Sequence, residues 1–382
     1  MIAGSTPMKR LALAAALLAS CLAVATAPLF AGAATRPAPA PQMLAGVNGS
    51  SIVYVLSTSV HFDGTNPAMC HYQACYDLRR TNDNGSHFTT LKLPPIAYVH
   101  GALTGDLERL VFANSNDGYA ILGTSTPSVL YVTMDGARSW HQEAIAPGFS
   151  IFDCTATRNK LYAVIARCPK DMDCTDFRIA RSSLAAVRWS TTPLPTSPPG
   201  TGVGMGAFGS NVWLSRQSMA TALLLISHNG GRSFTRWSVP VLGSVVACSM
   251  TAMSATALWA QCPTGMAVSF FYSGDGGTRW NRIPVSQFMG TGGGAFDPVS
   301  SAVAYLDYGL SDTSSSDNLF RVTNDGRTMT AVGKLACDIA NGLVFTNVTH
   351  GLAACDRSNT GATTHLLGTS DGGATWTKVG LN

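Results

Sequence analysis

A short turn recurs along this chain at steps of 45 to 52 residues. The clearest copies read Ser273-Gly-Asp275-Gly-Gly277-Thr-Arg-Trp280 and Thr369-Ser-Asp371-Gly-Gly373-Ala-Thr-Trp376. Thr81-Asn-Asp83-Asn-Gly85-Ser-His-Phe88 is nearly complete, and Thr133-Met-Asp135-Gly-Ala-Arg-Ser-Trp140 lacks the second glycine. Ser227-His-Asn229-Gly-Gly231-Arg-Ser-Phe234 carries Asn for Asp. Thr323-Asn-Asp325-Gly-Arg327 has Thr330 in place of the aromatic. A decayed copy, Ser182-Ser-Leu184-Ala-Ala186-Val-Arg-Trp189, fills the double gap between positions 135 and 229. Self-similarity at this period means one supersecondary unit repeated, and it constrains the architecture more than any other feature.

The residue types suit a reversal. Asp or Asn can accept bonds from backbone N–H groups two residues on. Gly tolerates the positive φ of a tight hairpin. The aromatic opens the next strand and can fold over the turn. Structural work is therefore expected of Asp83, Asp135, Asn229, Asp275, Asp325 and Asp371, with Trp140, Trp280 and Trp376 as their aromatic covers.

Upstream of each turn lies a second repeated feature. Leu110-Val-Phe112-Ala-Asn114-Ser-Asn-Asp-Gly118-Tyr-Ala120 aligns with Leu343-Val-Phe345-Thr-Asn347-Val-Thr-His-Gly351-Leu-Ala353, and Leu161-Tyr-Ala and Leu258-Trp-Ala260 are weaker versions. Each reads as strand, turn, strand. Every unit is thus four short strands, A to D, with the Asp turn between C and D. In the last unit they are expected near 341–346, 351–355, 364–370 and 375–379. Seven such units predict an all-β fold, a seven-bladed β-propeller of four-stranded antiparallel blades over 45–382.

The S/T-x-D-x-G-x-x-W/F pattern resembles the Asp-box, or BNR, repeat of sialidases, the sortilin ectodomain, some glycosidases and photosystem II assembly factors. That resemblance implies the same propeller fold. It implies little about activity, because the Asp-box in those families lies on the periphery, away from the active site.

Composition agrees with a turn-rich β protein: 382 residues, 12% charged, with 38 Gly and 19 Pro. A net charge of +4, without a basic run, gives no nucleic-acid footprint. At the N-terminus, Met8-Lys9-Arg10 precedes an apolar run from Leu11 to Val24, and Ala31-Gly32-Ala33 is an A-x-A-like cleavage site. Residues 1–33 read as a signal peptide and 34–44 as a flexible Pro/Ala-rich start. A rival reading is a lipobox, Leu18-Ala19-Ser20-Cys21, with Cys21 lipid-modified; an uncleaved anchor is a third. All three place the ring outside the cytoplasm, with a membrane contacted only through that anchor or lipid.

The cysteines suit an oxidising compartment. Cys154/Cys168 and Cys248/Cys262 are each 14 apart, and Cys337/Cys355 are 18 apart. Each pair brackets an A–B hairpin and is expected to bridge it. Cys70 and Cys75 could staple a loop. Cys174 is left over, or competes for Cys168. No C-x-x-C pair or His cluster suggests a metal, and no cofactor is expected.

Irregular insertions fall on the face opposite the Asp turns. The largest, from Ser57 to Tyr76, holds His61, Phe62, His71 and Tyr72, the candidate binding residues; long loops on a rigid scaffold commonly carry them. Another holds Asp171, Asp173 and Asp176, whose spacing matches no standard calcium loop.

An enzyme reading is harder to build. The sialidase resemblance implies three channel arginines, a Tyr/Glu nucleophile pair and a catalytic Asp. This chain has two glutamates, Glu108 and Glu143. Glu143 is expected on an outer strand; Glu108 could face the channel beside Arg109, without an evident partner tyrosine. Arg282-Ile-Pro284 matches the R-I-P tripeptide of that family but follows an Asp turn on an outer strand. Gly368-Thr-Ser370-Asp-Gly372 fits G-x-S-x-G but lies between two strands, without the required helix. Gly290-Thr-Gly-Gly-Gly294 lacks the Lys of a phosphate loop. The expectation is an exported, non-catalytic scaffold binding a protein or glycan partner through the loop-rich face. The alternative is a divergent glycoside hydrolase of the sialidase-like type.

Overall fold

The computed structural model describes residues 40–47, 50–58, 76–94, 106–123, 128–168, 174–185, 188–195, 203–216, 223–238, 247–264, 267–285, 295–308, 317–335, 339–357 and 362–381. They form seven four-stranded antiparallel sheets, each built from one continuous stretch of chain in simple up-and-down order. The A strands are Ala40–Gly46, Asp106–Phe112, Ser150–Ala156, Val203–Phe208, Ser249–Ala252, Phe296–Pro298 and Ile339–Phe345. The B strands are Val53–Thr58, Gly118–Gly123, Lys160–Arg167, Asn211–Arg216, Leu258–Thr264, Ala304–Tyr308 and Gly351–Arg357. The C strands are Tyr76–Thr81, Val129–Thr133, Thr175–Ser183, Leu223–Ser227, Ala267–Ser273, Asp317–Thr323 and Ala362–Thr369. The D strands are Thr89–Leu91, His141–Glu143, Ser190–Pro193, Thr235–Ser238, Asn281–Arg282, Thr328–Leu335 and Thr377–Val379. The protein is a seven-bladed β-propeller. Blade 1 starts at Ala40, inside the stretch expected to be flexible.

Burial explains why the B and C strands read as apolar runs. Each blade is covered on both faces by its neighbours, so strands such as Leu223–Ser227 are buried at every position. Apolar clusters fill all seven joints among the described residues. Tyr54 and Leu78 of blade 1 pack with Phe112 and Leu122 of blade 2, and Trp213 of blade 4 packs with Met250 and Leu258 of blade 5. Val53 and Val55 of blade 1 meet Val344, Leu352 and Leu366 of blade 7, which closes the ring. The A strands are innermost, touching one another from blade to blade. Gly204 permits one of the tightest approaches: a Cβ there would collide with the carbonyl oxygen of Cys248 in the next blade.

The A–B and C–D turns share one face. In four blades a C–D turn N–H donates to an A–B turn carbonyl: Gly136 to Asn116, Gly230 to Ser210, Gly276 to Thr256 and Gly372 to Thr349, at 2.7–2.9 Å. The B–C and D–A connections form the opposite, loop face, and most of them lie outside the described residues.

One expected disulfide is present, and another is replaced. Cys248 and Cys262 are bridged. Their neighbours Ser249 and Gln261 are paired in register, so the two cysteines flank the hairpin turn symmetrically. Cys154 instead faces Ala163 across its hairpin, because the turn joining Ala156 to Leu161 lies close to Cys154 and far from Cys168 and is not centred between them. Cys168 lies further along, near the end of the B strand, and bonds Cys174 across the B–C connection. Cys154 is a buried free thiol, pushed up to about 12 by burial and by Asp153 beside it. Cys355 is disulfide-bonded, while Cys337, Cys70 and Cys75 lie outside the described residues.

Candidate functional site

The repeated carboxylates are the first candidates, and their chemistry is turned inward. In five turns the leading hydroxyl donates to the Asp or Asn: Thr81 to Asp83 (2.8 Å), Thr133 to Asp135 (2.9 Å), Ser227 to Asn229 (2.9 Å), Ser273 to Asp275 (3.0 Å) and Thr369 to Asp371 (2.8 Å). The same hydroxyl accepts the buried N–H four residues on, at 2.9 Å in every case. The acid then accepts further backbone N–H groups, as Asp135 does from Arg138 and Ser139 at 2.9 Å. Bonds from the His87 and Thr375 segments hold Asp83 and Asp371 down at about 2, well below the ordinary carboxylate range. Burial opposes the shift at Asp135, but the donors from Ser139, Thr133 and Arg138 outweigh it and leave that carboxyl also at about 2.

The sixth turn differs. Asn324 and Asp325 both take positive φ (52° and 54°), Arg327 N–H donates to Asn324 O at 3.0 Å, and the Asp325 carboxylate bonds the Tyr272 side chain of blade 5. Asp325 thus leaves the role expected of it: the left-handed backbone runs through Asn324, Asp325 and Gly326 and so takes in the acid itself, whereas in the other five turns it falls on the two residues after the Asp or Asn. The aromatic covers divide as well. Trp280 and Trp376 donate from Nε1 to Gly277 O (2.9 Å) and Gly373 O (3.1 Å) of their own turns. Trp140 reaches back to Lys92 O of blade 1 at 2.8 Å.

A second polar ring, unread in the sequence, joins the blades. In five blades the aromatic residue of the B strand reaches a carbonyl of the next blade: Tyr54 to Ser115 (3.1 Å), Tyr119 to Leu184 (2.9 Å), Trp213 to Gly276 (2.8 Å), Trp259 to Ser300 (3.0 Å) and Tyr305 to Val348 (2.7 Å). The signal was the aromatic between apolar residues in Leu258-Trp-Ala260; Leu161-Tyr-Ala carries it too, but the buried Tyr162 hydroxyl of blade 3 finds no partner among the described residues. In blade 7 that position is Leu352, and the joint to blade 1 carries instead a bond from Thr346 Oγ1 to Asn84 Oδ1 at 2.8 Å.

A pocket of about 220 Å³ opens near the start of the A strands of blades 2 to 5, toward the loop face, lined by Arg109, Ile121, Phe152, Asp153, Val203, Gly204, Ala247 and Ser249. Asp153 is 5% exposed. One of its oxygens accepts Cys154 N–H (2.8 Å) and faces Arg109 Nε (3.3 Å), and the other accepts Met205 N–H of blade 4 (3.0 Å). Burial raises its pKa, and Arg109 with the two N–H groups opposes the rise.

Other candidates are placed as follows. His61, Phe62, His71, Tyr72, Asp171 and Asp173 lie outside the described residues. Asp176 grips Arg178 through both oxygens at 2.9 Å. Residue 108 falls at a bulge of its A strand. Glu143 is on an outer D strand, 3.4 Å from His141 Nε2. Arg282 is also on a D strand and bonds Ser269 Oγ at 3.1 Å. Among the described residues no group of three or more His, Cys, Asp or Glu could hold a metal, and no helix is long and apolar enough to cross a membrane.

No family model and no curated protein matches the chain. Solved structures do. Virginiamycin B lyase from Staphylococcus aureus matches with TM-score 0.52 at 11% identity, over 86% of this chain and 94% of that one. A Mycobacterium tuberculosis puromycin-hydrolyzing peptidase matches with TM-score 0.55 at 11% identity, over 90% of this chain but 53% of the peptidase. YCF48 from Cyanidioschyzon merolae matches with TM-score 0.46 at 14% identity, over 70% of this chain and 83% of that one. At such identities the likeness is one of fold, and by fold the chain stands among the β-propellers.

Proposed function

We propose that this chain is an exported, non-catalytic propeller scaffold that takes a protein or glycan partner on its loop face. The observation that carries the reading is the division between the two faces. On the turn face the repeated side chains of five blades, the carboxylates of Asp83, Asp135, Asp275 and Asp371 and the amide of Asn229, are bound to their own turns, which leaves them no acid–base task. The channel-mouth pocket opens on the other face, and the connection between Thr58 and Tyr76, whose sequence holds His61, Phe62, His71 and Tyr72, leaves from the strand ends on that side. Two disulfides between described cysteines suit an oxidising compartment outside the cytoplasm, as expected if residues 1–33 direct export.

A glycoside hydrolase is the rival, favoured by Arg109 and Asp153 at the channel mouth, where a sugar could enter. Such enzymes need two carboxyls flanking the scissile bond. Asp153 is the one carboxylate among the described lining residues, and its oxygens are already engaged. The test pairs two measurements on the purified chain. Replacing His71 and Tyr72 by Ala should abolish capture of the native envelope partner while the melting temperature holds. A panel of fluorogenic glycosides should give no turnover; turnover abolished by Glu108→Gln would replace the scaffold reading by the enzymatic one.

A further inference from the structure

The channel-mouth pocket carries a more specific chemistry than partner docking. Arg109 is anchored to Asp153 through Nε, the inner edge of its guanidinium. Its two terminal nitrogens have no partner among the described residues, and the side chain keeps 35% of its surface. A guanidinium held in this way presents a fork that matches two oxygens of one planar anion. The buried carboxylate behind it already balances the guanidinium's single charge, so the fork acts through its N–H donors in a site of no net charge, which disfavours a dianion more than a monoanion. Ile121, Phe152, Val203 and Ala247 supply apolar walls, and Ser249 the remaining hydroxyl. That lining is too poor in donors and acceptors for a ring of sugar hydroxyls. The volume, about 220 Å³, is below the roughly 300–1,000 Å³ of pockets for drug-sized ligands.

We propose that this pocket is a binding site for a small apolar monocarboxylate, with Arg109 as the anchor of its carboxylate and the Ile121–Phe152–Val203–Ala247 wall as the seat of its hydrocarbon. Asp153 is a positioning residue: its two backbone donors fix it, and it fixes the guanidinium. The site is separate from the loop-segment contact proposed above, and either can fail without the other.

The test uses 3-methylbutanoate and phenylacetate as probes, each beside its primary amide, followed by calorimetry and ligand-observed NMR on the full chain. Saturable binding of the acids is expected, with the amides at least about tenfold weaker, the scale of a lost charged hydrogen-bond pair. Arg109→Lys keeps the charge beside Asp153 but loses the fork, and should also weaken the acids about tenfold or more. Ala247→Phe leaves the ion pair untouched and fills the pocket; it should abolish binding with the melting temperature unchanged. Equal binding of acid and amide, or undiminished binding by Ala247→Phe, would overturn the proposal. So would tighter binding of inorganic phosphate, or binding confined to peptides with a free C-terminus. Changes at His71 and Tyr72 should leave probe binding as it was.

Discussion

At the scale of single residues, the repeated turn works through its hydroxyl as much as its acid. Thr133 is fully buried, donates to Asp135 and accepts Ala137 N–H. Thr133→Val keeps the shape and strands that N–H. It should cost about 1–3 kcal/mol in urea denaturation. Asp371→Ala should lower the melting temperature, whereas Asp325→Ala should lower it less, since Asp325 braces no turn of its own. Two kinds of acid respond oppositely to pH. Asp83, Asp135 and Asp371 lie at about 2 in the fold, below the ordinary 3.8, so their contribution is complete above about pH 4 and fades toward pH 2. Asp297 is the reverse. Its carboxyl is enclosed, although the residue keeps some surface, and burial lifts it to about 7 against the bond from Phe345 N–H. The unfolded chain releases that proton near pH 4 and the fold retains it, so stability falls as pH rises from about 4 to about 7. Melting curves across that window should slope downward in the wild type, and the slope should diminish in Asp297→Asn.

At the scale of elements, strands were readable and joints were not. The turn signature and the A–B hairpins are local, so their residues lie within a few positions of one another in the chain. For the last blade, the expected 341–346 and 351–355 became Ile339–Phe345 and Gly351–Arg357. The B-strand aromatics find partners 41 to 65 residues away, which no short window exposes. Hairpin register was equally hidden: two cysteine pairs with identical spacing fared differently because one turn is centred between its cysteines and the other lies beside the first of its pair. The pocket was the least legible, as Arg109 and Asp153 meet only once neighbouring blades pack. Of its residues, Arg109 alone had been singled out, and for its neighbour Glu108. Trp213→Phe checks the element-level claim. The ring still fills its place between blades 4 and 5, but Gly276 O loses its donor, and a loss of about 1–3 kcal/mol is expected by chemical denaturation.

For the whole molecule, the joints are unequal. Blades 1–2 and 6–7 are each held by a stacked ring pair, Tyr54–Phe112 at 3.4 Å and Tyr305–Phe345 at 3.6 Å, and by a tyrosine bond. The joint of blades 7 and 1 has Leu352 at the latch position and relies on aliphatic packing with the Thr346–Asn84 bond. Opening should begin where the fewest specific contacts must break. Hydrogen exchange should therefore be faster at Val53, Val55 and Val344 than at Tyr119 or Trp213, and uniform protection around the ring would contradict this ranking.

Each blade is cut whole from the chain, with no strand lent to a neighbour, so the order in which blades are read is arbitrary to the finished ring. Blades 1 and 7 are adjacent, and the first A strand starts on the same face where the last D strand ends. The stretch 144–149 already spans an equivalent gap between two blades. A permuted gene that joins Val379 to Ala40 through a linker of that kind, and opens the chain between two other blades, should yield the same propeller with its weak joint bridged by covalent bonds.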